Sequence, residues 1–228
     1  MGIYKLFAKG INFMVGKGLR KNKIAVTGSL DFLHRSRKID NNYFDYIRLA
    51  TLELVSEEIN QKQLKGEVAE LGVYKGKFAR YINSYFPDRK LFLFDTFKGF
   101  DERDVSVERK QNFSSGAQNF SDTSIESVLK QMPFPQKCIP VKGFFPQTAQ
   151  SIDHRFVFVS LDADLYEPIY WGLKFFYPRL EKGGYIFIHD FNNDEYKGAR
   201  KAVEQFCKEE NIGFVPLPDS GGSAIISK

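Results

Sequence analysis

Cysteine is scarce in this sequence, which contains only Cys138 and Cys207 among 228 residues. Two thiols far apart in the chain exclude the disulfide framework of a small secreted domain and are typical of a reducing compartment. Histidine is almost as scarce, and neither His34 nor His154 has a companion motif. Only His189 therefore enters the functional argument.

A long uninterrupted hydrophobic run is also missing. The apolar residues of the N-terminal stretch, residues 1–17, are interrupted by Lys5, Lys9 and Lys17. The stretch falls short of the ~20 apolar residues that a membrane-spanning helix needs, and it has no clean signal-peptide core. The sequence therefore predicts a cytoplasmic protein.

Positive charge is concentrated at the N-terminus. Residues 1–38 carry nine lysines and arginines and one acid, a net charge of +8, whereas the whole chain carries +5, which leaves −3 for the rest. A basic, amphipathic segment suits peripheral contact with an anionic membrane surface. Packing on the domain or on a second subunit, in a homo-oligomer, is the alternative interpretation. A nucleic-acid partner is disfavoured, because the rest of the chain is slightly acidic and lacks a basic-aromatic binding module.

Beyond the N-terminal region, strands and helices alternate. Five continuous apolar runs predict strands buried on both faces of a parallel sheet. The runs are Glu67–Leu71, Lys90–Phe94, Cys138–Val141, Arg155–Leu161 and Tyr185–Ile188. Two final strands around the glycine turn of residues 219–222 indicate an antiparallel hairpin. The pattern predicts a doubly wound α/β fold.

Several segments complete the predicted organisation. Residues 1–40 form a basic N-terminal helix followed by a linker or flap over residues 21–40, and residues 41–228 form the main domain. A long helix is expected from Asn42 to Ile59, and Gly183–Gly184 should stop the helix that begins near Pro168. The stretch 101–122 is polar and lacks apolar periodicity, which predicts a long loop that acts as a lid, with simple disorder as the alternative.

The functional argument begins at the stretch Glu70–Gly76, where a strand, a tight glycine turn and a helix follow one another. Its spacing is acidic-x-Gly-x-x-x-Gly, and a dinucleotide site would need a third close glycine. Glu70 suits a positively charged or N–H-bearing part of a ligand. Asp95 follows Gly72 at the distance of the acid that binds the ribose hydroxyls of an adenosine. S-adenosylmethionine, a sulfonium amino acid without phosphate, fits this turn better than NAD does.

Carboxylates mark the ends of the predicted strands, at the edge where open α/β sheets bind ligands. Asp162 and Asp190 follow neighbouring strands, so their side chains should converge. Oxygen ligands of this kind suit Mg²⁺, which would orient a hydroxyl and lower its pKa. His189 is a candidate base, metal ligand or supporting group, with capping of a strand end as the alternative. Asp164 is expected to cap the following helix.

From Asn42 to Lys228, the sequence resembles the macrocin O-methyltransferase family of class I S-adenosylmethionine-dependent methyltransferases. Several ordered motifs carry the resemblance. They are Glu70–Gly76, Phe94–Phe100, Phe120–Ser124 with Val128, Lys142–Thr148, Leu161–Tyr166 and Gly183–Asp190. Members that tailor antibiotics usually carry two aspartates where this chain has His189–Asp190.

The resemblance implies a mostly parallel, seven-stranded methyltransferase sheet with an antiparallel last strand, and N-terminal helices that shape the acceptor pocket or a subunit contact. It also assigns the site. Glu70, Gly72 and Gly76 would line the methionine side of the cofactor, and Tyr74 of the same turn would also bind the cofactor. The other cofactor-binding residues would be Asp95, Thr96 and Phe97 at the ribose, and Asp122 to Ser124 near the adenine. Asp162 would be a metal ligand and candidate base, and Asp190 a further ligand.

The sequence thus predicts an O-methyltransferase that uses S-adenosylmethionine and Mg²⁺ to methylate a hydroxyl of a sugar or another small molecule. Two alternatives stay open at this point. One is an NAD-dependent oxidoreductase on a similar sheet, and the other is a non-catalytic, membrane-associated scaffold that uses the basic N-terminus.

Overall fold

The computed structural model describes residues 3–21 and 45–228, and the chain divides into two compact units between residues 44 and 45. In the first unit, helix α1 spans Ile3–Lys21. The predicted flap at residues 21–40 lies, apart from Lys21, outside the described residues. No helix in the described ranges combines the length and the hydrophobicity that a membrane crossing requires.

The second unit, residues 45–228, alternates helices and strands in the predicted manner. Its helices are α2 (Tyr46–Gln61), α3 (Lys77–Tyr85), α4 (Glu102–Gln111), α5 (Ile125–Leu129), α6 (Tyr166–Arg179) and α7 (Lys197–Glu210). Its strands are β1 (Glu67–Leu71), β2 (Leu91–Asp95), β3 (Cys138–Lys142), β4 (Phe156–Leu161), β5 (Leu180–Ile188), β6 (Val215–Pro216) and β7 (Ala224–Ser227).

The strands form one seven-stranded sheet in the order β3-β2-β1-β4-β5-β7-β6. The first five strands run parallel, and β7 is antiparallel to both β5 and β6. The predicted fold, a mostly parallel methyltransferase sheet with an antiparallel last strand and a final hairpin, is confirmed. The inner strands are apolar because helices cover both faces of the sheet. Every residue of β4 is buried.

Aromatic rings fill much of the core between the sheet and α6. Phe176 of α6 packs against Phe94, Phe145 and Phe156, with ring centroids 5.1–6.0 Å apart. The contacts with Phe94 and Phe156 are edge-to-face and the contact with Phe145 is stacked, and aromatic pairs of both kinds add to the free energy gained from burying the rings. This packing fixes α6, whose N-terminus follows the end of β4, and so holds the strand-end residues in place.

The prediction of a loop over residues 101–122 is wrong for the first half of this stretch, because residues 102–111 form α4. Asp101 caps this helix by accepting a hydrogen bond from the Arg103 N–H. The apolar period is missing because the buried face of α4 consists of Val105 and Glu108 only. Glu108 can be buried because its carboxylate accepts hydrogen bonds from the Tyr166 N–H, at 2.7 Å, and from a serine hydroxyl. This helix is therefore anchored to the N-terminus of α6.

Gly183 and Gly184 also differ from expectation, since they lie inside β5 and do not stop α6. The helix ends at Arg179, and the strand begins at the next residue. Between Phe158 and Phe156 the register of β4 and β5 shifts, and a φ of +86° at Gly183 lets the strand bulge there. The glycines accommodate an irregularity within the strand.

Candidate active site

Four parallel strands end side by side at one edge of the sheet. Leu71 of β1 pairs in register with Phe94 of β2 and with Leu161 of β4, and Leu161 pairs with Ile188 of β5. The residues that directly follow these four are Gly72, Asp95, Asp162 and His189. The structure therefore brings together the strand ends from which the sequence predicted a site.

The glycine turn after β1 depends on the absence of side chains. Gly72 has a φ of +85°, and a Cβ there would collide with the backbone oxygen of Asp162. Gly76, with a φ of +73°, is the N-cap of α3. Only glycine combines these dihedral angles with so close an approach. The turn thus brings its backbone and the N-terminus of α3 next to the end of β4.

Asp95 ties the turn to the end of β2. One carboxylate oxygen accepts hydrogen bonds from the N–H groups of Val73 and Tyr74, at 2.7 and 2.9 Å. The other oxygen accepts from the Phe97 N–H at 2.6 Å. Asp95 therefore organises both loops at the place where the ribose is predicted. Thr96 turns back to donate to the Gly99 carbonyl.

The residues predicted to approach the adenine hold a loop against the same turn. Asp122 accepts hydrogen bonds from the Tyr74 hydroxyl and the Lys75 ammonium group. Thr123 donates to the backbone oxygen of Tyr74. Ser124 caps α5 in a reciprocal capping box with Ser127. The side chain of Ser124 is thus engaged in starting a helix.

Glu70 is buried directly behind the turn, with 1% of its surface exposed. Burial and the nearby charge of Asp162 raise the pKa of its carboxyl well above the ordinary range, although Arg48 opposes this shift. Ser160 donates a hydrogen bond to the carboxyl group. Within residues 45–228, no donor reaches the second oxygen, Oε2. A buried acceptor of this kind suits an N–H-bearing group of a ligand.

Asp162, His189 and Asp190 form a compact cluster. The Nδ1 atom of His189 lies 3.0 Å from Oδ1 of Asp162 and 2.8 Å from Oδ2 of Asp190. One ligand atom from each residue lies within 4.8 Å of the others. Burial disfavours a charged imidazole, but the charge of Asp162 and hydrogen bonds to both carboxylates raise the pKa of His189 to about 10. At neutral pH the ring therefore holds a proton between the two carboxylates.

Sequence reasoning missed two members of this site. Arg48 of α2 is 3% exposed and forms an ion pair with Asp162. Asp164 was expected to cap α6, but its side chain is hydrogen-bonded to Asp190, and the N-cap residue of α6 is Leu165. Burial and the charges of Asp190 and Asp162 raise the pKa of Asp164. Asp164 has a φ of +58° in the short loop after β4, a conformation that is uncommon for residues other than glycine and clusters at functional sites.

The side chains of the cluster fit a divalent cation through their oxygens. Mg²⁺ needs oxygen ligands and usually takes one or two carboxylates together with water. Asp162 and Asp190 present such oxygens on either side of one imidazole nitrogen. An imidazole is a poorer ligand for Mg²⁺ than a carboxylate is. Of the three residues, Asp162 and Asp190 are therefore the ones whose oxygens could bind Mg²⁺, and such a cation would have to displace the proton that His189 holds between these oxygens.

Comparison with known proteins places this chain in a family. The family model for macrocin-O-methyltransferase (TylF) matches residues 41–218. A curated relative is the 8-demethyl-8-(2,3-dimethoxy-alpha-L-rhamnosyl)-tetracenomycin-C 4'-O-methyltransferase of Streptomyces olivaceus. It is 24% identical over 190 residues, which cover 78% of this chain and 71% of that protein.

Two solved structures share the fold. The O-methyltransferase NovP has a TM-score of 0.67 at 20% identity, with 80% of each chain covered. CalS11, a TDP-rhamnose 3'-O-methyltransferase of calicheamicin biosynthesis, has a TM-score of 0.64 at 18% identity, with 98% of this chain and 91% of that chain covered. With the family match over most of the chain and the shared sheet, the protein belongs to the macrocin O-methyltransferase family.

Proposed function

We propose that this enzyme transfers the methyl group of S-adenosylmethionine to a hydroxyl of a sugar, either in a polysaccharide or in a secondary metabolite. One observation carries the proposal. The glycine turn with Asp95 and the cluster of Asp162, His189 and Asp190 lie at the same edge of the sheet. A methyl donor held at the first would face a hydroxyl held at the second.

The polar groups around the glycine turn support the proposal that the methyl donor binds there. Glu70, with a buried oxygen that no donor reaches in residues 45–228, would accept from the ammonium group of the methionine part. Asp95 would accept from the ribose hydroxyls, at the end of a strand where such acids bind them. A dinucleotide would need a further glycine for its pyrophosphate, which disfavours the oxidoreductase hypothesis.

In the reaction, the acceptor oxygen attacks the methyl carbon, the carbon–sulfur bond breaks, and its electron pair stays on sulfur. The hydroxyl proton must pass to a base. His189 already holds a proton at Nδ1, and burial together with the charges of Asp190 and Asp162 favours the protonated form of Asp164. The carboxylate of Asp162 is therefore the group left to accept the proton. We propose that Asp162 and Asp190 hold Mg²⁺, which when bound would polarise the hydroxyl.

The sugar acceptor is inferred from relatives, because the names of the tetracenomycin enzyme and of CalS11 both specify rhamnose. The test incubates the protein with S-adenosylmethionine and a panel of nucleotide sugars that includes TDP-rhamnose, with catechol as a phenol control. Mass spectrometry should detect one added CH₂ on a sugar. Methylation of catechol alone would contradict the choice of a sugar, and full activity in excess EDTA would contradict the role of Mg²⁺.

A thermal-shift assay separates the enzyme classes before any acceptor is known. S-adenosylhomocysteine should raise the melting temperature, because a ligand that binds only the folded state stabilises it, and NAD should not. Protection by NAD alone would favour the oxidoreductase. Vesicle binding without any cofactor binding would favour the non-catalytic scaffold.

We also propose peripheral contact with an anionic membrane through residues 1–38. Helix α1 exposes large apolar side chains beside a strongly basic segment. They are Leu6, Phe7, Phe13, Met14 and Val15, which are 51–92% exposed. A helix of this composition lies in the interfacial plane of a membrane and does not span it.

Vesicle co-sedimentation tests this contact. The protein should pellet with phosphatidylglycerol-containing vesicles and not with pure phosphatidylcholine, and the double variant Phe7→Ser with Met14→Ser should stay in solution. Trp171→Ser, which removes an exposed aromatic residue from α6, is the matched control. If light scattering shows a dimer for the wild type and a monomer for the same double variant, the apolar side chains of α1 would instead contact a second copy of the chain. The homo-oligomer and the cytoplasmic location stay predictions.

A further inference from the structure

Arg48 is a buried cation outside the six sequence motifs on which the resemblance to the family was based. It lies in the first turn of α2, which Asp45 caps by accepting a hydrogen bond from the Arg48 N–H. Neighbouring positions of the helix, such as Leu49 and Leu52, are buried in the core. The cap and this packing fix the helix, so the Arg48 side chain is directed toward the end of β4.

Three contacts define the position of its guanidinium group. One nitrogen donates to Oδ2 of Asp162 at 3.0 Å, and a second donates to the Ser160 hydroxyl at 3.2 Å. The central carbon lies 3.8 Å from the centre of the Phe78 ring. A planar fork that bonds two partners and stacks on a ring cannot be replaced by an ammonium group without loss of geometry.

The contact distinguishes the two oxygens of Asp162. Oδ2 is engaged by Arg48, while Oδ1 faces Nδ1 of His189 at 3.0 Å. Rotation of the Asp162 side chain would break the ion pair in a buried setting, where an unpaired charge is costly. Arg48 therefore leaves one oxygen of Asp162, Oδ1, directed into the cluster.

We propose that Arg48 is a positioning residue, which holds Asp162 so that this carboxylate offers a single oxygen to the cation and the acceptor hydroxyl. The inference rests on the proposed function, since it concerns the same cluster. It adds a residue from outside the strand-turn-helix core of the methyltransferase fold. Arg48 acts through Asp162 and needs no contact with substrate.

The diagnostic variant is Arg48→Lys. It keeps the positive charge, so the electrostatic effect on a bound cation changes little, and it removes the planar fork. The matched control is Arg89→Lys, because Arg89 also donates to two partners, the backbone oxygens of Gly66 and Leu64, away from the site. Both variants lose similar hydrogen bonds, but only the first touches Asp162.

Calorimetry with Mn²⁺, as a probe for the cation, gives the first measurement. We expect Arg48→Lys to bind Mn²⁺ about 10-fold more weakly, the usual consequence of losing a group that orients a ligand, and to keep its affinity for S-adenosylhomocysteine within about 2-fold. Arg89→Lys should melt earlier with unchanged Mn²⁺ affinity. Unchanged Mn²⁺ affinity in folded Arg48→Lys would overturn the proposal.

A crystal structure of Arg48→Lys distinguishes a failure of this inference from a failure of the cation proposal. If the wild type binds no Mn²⁺, the cation proposal fails, and the position of Asp162 then decides. The inference requires that Oδ1 leave its place beside His189 in Arg48→Lys, and an unmoved carboxylate would overturn it. Should Arg48→Lys not fold, Ser160→Ala releases the other side of the fork. The Mn²⁺ affinity and the position of Oδ1 of Asp162 then decide as before, whereas cofactor affinity is no criterion for this variant, because Ser160 also bonds to Glu70.

Discussion

Asp95 offers the sharpest test of the cofactor assignment. Its carboxylate accepts three backbone hydrogen bonds, from Val73, Tyr74 and Phe97, at 2.6–2.9 Å. The substitution Asp95→Asn keeps the shape but replaces one acceptor oxygen by an NH₂ group and removes the charge. The NH₂ group must then face at least one backbone N–H, so one bond is lost and the others weaken.

The size of the effect follows from these contacts. Hydrogen bonds to a charged group contribute about 1.5–3 kcal/mol each, and Asp95 is only partly buried, so water replaces part of what is lost. We expect a destabilisation of about 2–4 kcal/mol. Loss of the ribose contact should weaken binding of S-adenosylhomocysteine by about 2–3 kcal/mol, which is roughly 30- to 150-fold in Kd.

Two assays on the same protein samples measure these quantities: urea unfolding and titration calorimetry with S-adenosylhomocysteine. Asp88→Asn is the control, because it makes the same change at an exposed residue before the opposite end of β2. The reasoning is refuted if folded Asp95→Asn binds within about 2-fold of wild type. In that case Asp95 serves only to organise the turn.

Two further predictions concern α4. The pKa of Asp104 is raised to about 7, first by burial and then by neighbouring carboxylates including Glu167, whereas an unfolded aspartate titrates near ~3.9. The folded protein therefore binds the proton more tightly, and its stability falls as pH rises from about 4 to 7. At pH 8, Asp104→Asn should be more stable than wild type by about 2 kcal/mol, after allowance for the partial exposure of Asp104. Equal free energies of unfolding in urea at that pH would contradict this prediction. Glu108 accepts a hydrogen bond from the first N–H of α6, at Tyr166. Glu108→Gln should therefore lower the free energy of unfolding by about 1–2 kcal/mol, because a charge-assisted hydrogen bond is lost. An unchanged unfolding midpoint would contradict this prediction.

The sheet and its strand-end residues were predictable because their physical causes are local. Apolar runs such as Phe156–Leu161 must be buried on both faces, and a parallel sheet brings their ends to one edge. The position of Asp162 beside Asp190 follows from the neighbouring strands β4 and β5. Spacing in the sequence therefore carried enough information to locate this edge.

The role of Arg48 and the helix α4 were missed by the search for apolar periodicity, because both bury charge. A charged residue in a helix normally marks the solvent-facing side, and the partners that make burial tolerable are far along the chain. Arg48 pairs with Asp162, 114 residues away, and Glu108 with the Tyr166 N–H, 58 residues away. Signals for α4 were present in the capping residue Asp101, the acids of its first turn and the bases of its last.

The hydrogen bond from the Ser220 N–H to Asp45 joins positions 175 residues apart. Asp45 caps the helix that carries Arg48, and Gly221 in the same turn as Ser220 lies against the His189 ring. Because contacts of such high sequence separation form late and slowly in folding, the helix that carries Arg48 should be fixed in place only once the β6–β7 hairpin has docked on the sheet.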